Sequence, residues 1–171
     1  MMTDEKSEVL VDVSCPACNS KKMVLHAGIL DLPYVGLCIQ TTTICPACGY
    51  KVSDVTPIDE HEPVRIEFTV EKPEDLDVRV VKSSYAKVTL KELGVEIEPG
   101  PKSETYISNI EGLIRRFEDV LDNIKPTLKE DELKHYNEIK ERIERILSGK
   151  EKLTIIIEDP KGISKVIKGD A

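Results

Sequence analysis

Apolar residues along this chain follow two rhythms. Between Val9 and Ile97 they come in short runs, several alternating with polar residues, and between Ile110 and Leu147 they recur every third or fourth position. A period near two predicts strands and a period near 3.6 predicts helices. Val9–Val13 alternates weakly. Met23–Leu30 and Tyr34–Ile44 are apolar and β-branched around an Asp31-Leu32-Pro33 turn, and Lys51–Val55 follows as a further strand. Arg65–Val70 sets Ile66, Phe68 and Val70 on one face. Asp77–Lys82, Tyr85–Leu90 and Leu93–Ile97 read as strands, the last ended by Glu98-Pro99-Gly100-Pro101.

The helical stretch divides in two. Ser108-x-x-Glu111 and Thr127-x-x-Glu130 have capping-box spacing at the two starts. Lys125-Pro126 stops the first helix and Ser148-Gly149 the second. The short connection makes the pair an antiparallel hairpin. Gly112 within the first helix costs about 1 kcal/mol relative to Ala, which points to close packing there. Leu153–Ile157 returns to β, with Asp159 ahead of Pro160 placed to cap a turn, so the hairpin is inserted in the connectivity of a sheet. The fold class is α+β: a small N-terminal module over 1–56, then an antiparallel β domain over 57–171 with a helical hairpin at about 108–148.

The strongest chemical signal lies in the first module. Cys15-Pro-Ala-Cys18 and Cys45-Pro-Ala-Cys48 are two Cys-x-x-Cys pairs with 26 residues between them. Two such pairs complete a tetrahedral shell at about 2.3 Å per metal–sulfur bond. Each proline fixes φ early in its turn, and Gly49 supplies a position that accepts positive φ. Two disulfides or a redox dithiol are weaker readings, because a redox motif needs only one pair. Zinc and tetrathiolate iron share this spacing. The plan is that of a zinc ribbon: two knuckles at one end of a small sheet, with four cysteines closing the metal shell and leaving no open position for chemistry. The fifth cysteine, Cys38, reads as a small buried apolar residue.

Charge changes the picture next. The 171-residue chain has a formal net charge of -8, and almost all of the excess falls between Asp54 and Asp77, where nine acids face Arg65 and Lys72. Met1–Ser53 is near neutral, with five acids and four bases. A ribbon without a basic patch is poorly suited to phosphate backbones, and aromatics at 4% offer few stacking platforms. The acidic stretch is either a solvated face or a docking surface for a basic partner, with Asp59, Glu60, Glu62, Asp75 and Asp77 as the contact candidates. No apolar run reaches membrane length and no apolar leader opens the chain, so a cytoplasmic, reducing environment is expected. No phosphate-binding glycine loop or nucleophile elbow is present; His26, His61 and His135 are scattered, and His61 between Glu60 and Glu62 reads as part of a solvated charge cluster.

These residues resemble a known family. Cys15-Pro-x-Cys18, Asp31-Leu-Pro-Tyr34, Cys45-x-x-Cys48-Gly-Tyr-Lys51 and Asp54-Val55 are similar to the ZPR-type zinc-finger module. Asp75-Leu-Asp77 followed by Val80-Val-Lys-Ser83, Ile110-Glu-Gly-Leu113, and Asp159-Pro-x-Gly162-x-Ser164 are similar to its later segments, in order. Ile163 stands where the family has Asn, which removes a polar side chain from that turn. The resemblance implies one structural Zn(II) and a β domain of double-stranded β-helix type. It also implies a partner, translation elongation factor 1-alpha, for which eukaryotic members act as a folding chaperone. Those members carry two modules; a single module matches archaeal ones. The rival readings are a zinc-ribbon nucleic-acid or transcription-associated protein and, least favoured for want of a His/carboxylate cluster, an enzyme of the β domain.

Overall fold

The computed structural model of the chain describes residues 7–169 and divides it into two compact units. One ends at His61 and also takes in Gly100–Thr105; the other comprises Glu62–Pro99 and the chain from Tyr106 onward.

The first unit is an antiparallel meander of β1 (Ser7–Val11), β2 (Met23–Leu32), β3 (Gly36–Ile44) and β4 (Lys51–Pro57), ordered as in the sequence. In a meander, the β1–β2 and β3–β4 connections fall at one end and the β2–β3 turn at the other, so both Cys-x-x-Cys pairs meet without a long loop. Residues Pro33–Val35 form the far turn, with Tyr34 at φ 70° and the Val35 N–H donating to the Leu32 carbonyl at 3.1 Å. β4 runs past Val55 to Pro57, and the Ile58 N–H donates to the Leu37 carbonyl at 2.9 Å. The sheet therefore extends one residue past the module boundary expected at residue 56. Among the described residues, the only apolar cluster buried in this unit is Cys15, Met23 and Cys45, with Val11 and Tyr50 packed against it. So small a core cannot offset the entropy of ordering some fifty residues, at about 1 kcal/mol or more each.

The second unit has two antiparallel sheets, ordered β5-β10-β7-β8 and β11-β6-β9. The strands are β5 (Val64–Val70), β6 (Arg79–Lys82), β7 (Lys87–Leu90), β8 (Val95–Ile97), β9 (Tyr106–Asn109), β10 (Leu153–Asp159) and β11 (Lys165–Ile167). Helices α1 (Ile110–Ile124) and α2 (Glu130–Leu147) join β9 of one sheet to β10 at the middle of the other. That is the insertion expected from the pattern. β10 is the β-branched run, and its Ile155 and Ile157 are fully buried in one core with Phe68, Val80, Leu90, Ile114 and Ile143.

The helix starts differ from the capping-box reading. Ser108 is held in β9, opposite Val80, so its backbone is committed to a ladder. The cap falls to Asn109, whose side-chain oxygen accepts the Gly112 N–H at 2.8 Å. Thr127 sits in a single 3-10 turn over Lys125–Thr127 and donates its hydroxyl to the Ile124 carbonyl, so it does not cap a helix. α2 begins later, with the Glu132 carboxylate accepting the Lys129 N–H at 2.7 Å. Its end matches the Ser148-Gly149 signal: Gly149 has φ 75° and the Lys150 N–H reaches the Arg145 carbonyl. Strands β6, β7 and β8 each start two residues later than the alternation indicates. Before β6 and β8 the chain first makes 3-10 turns at Pro73–Asp77 and Lys91–Leu93, and before β7 a turn in which the Ala86 N–H donates to the Ser83 carbonyl. The short strands β9 and β11 leave no periodic signal.

Candidate metal centre

The two knuckles are built alike. In the first, the Cys15 N–H donates to the Ser20 carbonyl and the Asn19 N–H to the Cys15 carbonyl, both at 2.8 Å. In the second, the Cys45 N–H donates to the Tyr50 carbonyl at 2.8 Å and the Gly49 N–H to the Cys45 carbonyl at 2.9 Å. The residue after each pair is left-handed, Gly49 at φ 77° and Asn19 at φ 60°. Gly accepts this conformation freely, and Asn is among the side chains that tolerate it best. The first cysteine of each pair is buried and the second exposed.

The four sulfurs lie within 4.8 Å of one another, with Cys15 Sγ to Cys48 Sγ and Cys18 Sγ to Cys45 Sγ both 3.6 Å. A tetrahedron with metal–sulfur bonds of about 2.3 Å has edges of about 3.8 Å, so the cluster has the right size for a cation. A disulfide needs sulfurs at about 2.05 Å, and all five cysteines are free thiols. Close packing also splits their acidities. Burial opposes ionisation of Cys45, but the Cys48 and Ala47 N–H groups outweigh it and bring the thiol down to about 7. At Cys48 the Tyr50 N–H works downward, but burial and the neighbouring thiols prevail and push it up to about 12. Four thiols this close resist joint ionisation, and a bound cation removes that repulsion. Cys38 stands apart: it is fully buried and its thiol donates to the Gly36 carbonyl at 3.4 Å.

The acidic candidates are dispersed. Asp59 and Glu60 are exposed on the first unit, and Glu62 and Asp77 are exposed on the second. Asp77 borders an open cleft of about 440 Å³ with Arg79, Ile107, Ser108 and Asn109. Asp75 is used locally, its carboxylate accepting the Glu71 and Lys72 N–H groups at 2.9 and 3.1 Å. The first of these bonds does most to hold its pKa below the usual carboxylate range. His61 departs from the solvated reading, since its Nε2 is enclosed without a hydrogen-bond partner.

The Asp159 turn is more elaborate than a cap. Asp159 is buried and accepts the N–H groups of Lys161, Ile163 and Ser164 at 2.9, 2.9 and 2.7 Å, along with the Ser164 hydroxyl. Ser164 Oγ in turn accepts the Ser83 N–H at 3.0 Å. Ile163 faces inward and is buried, so the apolar side chain there belongs to the core and is not on offer to a partner. Within these described residues no helix is long and apolar enough to cross a membrane.

The sequence model of the ZPR1 jelly-roll domain matches residues 74–170. A ZPR1-like protein of Methanocaldococcus jannaschii is 40% identical over 157 residues, covering 91% of this chain and 79% of the relative. The chain belongs to the ZPR1 family. A ZPR1-like protein of Pyrococcus horikoshii is 38% identical over 159 residues, 90% of this chain and 71% of that one. The zinc finger chaperone of Schizosaccharomyces pombe is 32% identical over 154 residues, 86% of this chain but 33% of its own length. The two-sheet second unit is thus a jelly roll of the ZPR1 type, and the α+β reading with a four-cysteine cluster stands.

Proposed function

We propose that the chain is a zinc-stapled chaperone that binds the elongation factor 1-alpha of its own cell and assists its folding, acting in the cytoplasm without catalytic chemistry. The observation that carries this reading is the extent of the match to the fission yeast chaperone, which reaches over 86% of this chain. One Zn(II) per chain sits among Cys15, Cys18, Cys45 and Cys48 and shapes the ribbon. With four protein ligands the ion has no open position for water or substrate. The acidic stretch between Asp54 and Asp77 favours a basic partner, and a factor that handles RNA presents such a surface.

The test is capture of purified elongation factor 1-alpha, native and freshly diluted from denaturant, at low and moderate salt, beside a chelator-treated control. Capture of the refolding form and a higher yield of active factor are expected. No capture of either form would refute the reading. Metal analysis of the same preparation should give one zinc and no iron per chain.

A further inference from the structure

The ribbon sheet leaves large apolar side chains uncovered. Ile29 and Ile39, 68% and 42% exposed, are direct cross-strand partners. Leu37, two residues before Ile39 and 54% exposed, shares their face, because alternate residues of a strand do. Ile58, 47% exposed, follows Pro57 in the register and so stands beside Leu37 on that face. This quartet lies at the end of the sheet closed by the Pro33–Val35 turn, away from the cysteines. Contiguous exposed apolar side chains on a small soluble unit mark an interaction site more often than chance.

Charge decides what covers it. Asp31 stands directly opposite Leu37, and Asp54, Asp59 and Glu60 belong to the same unit. Among the described residues of this unit, the bases Lys21, Lys22 and Lys51 lie at the cysteine end, and Lys102 lies over the Tyr50 ring there. Among the described residues of this unit, the apolar end is therefore rimmed by acids and carries no lysine or arginine. A second copy would bring these acids against one another, and an anionic membrane surface would repel them.

We infer that this face docks an extended apolar protein segment flanked by lysine or arginine, of the kind a client exposes before it folds. The inference rests on the chaperone reading and names its contact surface. Apolar contact supplies affinity and the acidic rim selects the flanks.

The experiment is fluorescence anisotropy with the zinc-loaded full chain and two short synthetic peptides of identical Ile, Leu and Val content, one with Lys/Arg flanks and one with Glu flanks. The basic peptide is expected to bind at least about tenfold more tightly, and less tightly as salt rises. Ile29→Ser with Ile39→Ser should cost at least about tenfold. Asp31→Lys, an exposed change that leaves apolar packing alone, should erase the preference between peptides. Zinc content and circular dichroism confirm that each variant is folded. Equal binding of both peptides, or full binding by folded variants, overturns the inference. So does a dimer in sedimentation that the double substitution disperses, since that assigns the face to a second copy. Peptide binding without capture of elongation factor 1-alpha would refute the partner and keep the surface; capture unaffected by the substitutions would do the reverse.

Discussion

A side chain at position 112 would collide with Ser108: a Cβ placed on Gly112 lies 2.1 Å from Ser108 Oγ and 3.1 Å from Asn109 Oδ1. The glycine sits in the first turn of α1, where the chain leaves β9. Its own N–H must reach the Asn109 side chain while Ser108 stays in register with Val80. Gly112→Ala is therefore expected to lower stability by about 1–2 kcal/mol, despite the gain of about 1 kcal/mol in helix propensity that Ala brings. With Ser108→Ala already in place the nearest remaining Ser108 atom is the ordinary Cβ contact at 3.4 Å. The double variant should then recover most of the loss relative to Ser108→Ala alone, with the Asn109 Oδ1 contact at 3.1 Å remaining. Urea unfolding of the four proteins closes the cycle, and additive losses would show that Ser108 is not the obstacle.

Gly112 also shows what can be read in advance. A glycine inside an apolar helical stripe announces close packing, but only the structure shows that Ser108 is strand and Asn109 is the cap. Long periodic elements, the paired cysteines and the return to β at Leu153 are legible, because each leaves a repeated or spaced signal. β9 and β11 are not: with four and three residues, their pairing is set by tertiary partners. The apolar quartet on the ribbon is equally hidden. Ile29 and Ile39 look like core residues, and only the cross-strand register shows that nothing in the sheet covers them. Asp159 reads as a turn cap, yet nothing in its neighbourhood of sequence announces Ser83, which is 76 residues away.

Removing the metal should unfold one unit and spare the other. The ribbon buries little beyond Cys15, Met23, Cys38 and Cys45, whereas the jelly roll has its own extended core. Metal binding to such sites contributes on the order of 10 kcal/mol, more than the ribbon's apolar burial supplies. Chelation, or Cys45→Ser, is expected to abolish amide protection in β2 and β3 while β5 and β10 keep theirs. Hydrogen exchange read by mass spectrometry distinguishes this from global unfolding.

Asp159 and Lys82 are both buried in the jelly roll, and the Asp159 charge acts on the Lys82 amine. Lys82 is 7% exposed; burial drives its amine below the ordinary lysine range, with Asp159 opposing that shift. Asp159→Ala strips acceptors from three backbone N–H groups and leaves the amine uncompensated, an expected loss of about 3–5 kcal/mol. Lys82→Met in that background should recover part of it. The amine also has a pH signature. A folded lysine with a depressed pKa holds fewer protons than the unfolded chain, so its contribution to stability rises with pH from the folded value up to about 10.5. The difference in stability between wild type and Lys82→Met should change with that sign across alkaline pH in denaturant titrations, and a flat difference would refute the assignment.

Glu118 clamps the helical hairpin, and its contribution to stability also rises with pH, but in the acid range. It is buried on α1, accepting from Lys140 of α2 at 2.5 Å and from Arg115 at 2.9 Å. Burial works to raise its pKa, but the two cations outweigh it and hold the carboxyl below the usual glutamate range. Lys140 also reaches Asp122 at 3.1 Å, and Asp122 accepts the Tyr136 hydroxyl at 2.6 Å, so one cation ties both helices through two carboxylates. Glu118→Gln keeps the shape and removes the charge, and is expected to cost about 2 kcal/mol at neutral pH, less than a fully buried pair because Lys140 keeps partial solvent contact. A carboxylate with a depressed folded pKa stabilises fully above its unfolded value near 4.5 and loses that effect as pH falls through the folded one. The gap between wild type and Glu118→Gln should therefore close as the pH drops below about 4.5 toward the folded pKa. Urea unfolding at stepped pH measures it. A gap that persists undiminished to the acid limit would mean that Gln fails by shape and not by charge, and that the clamp is not electrostatic.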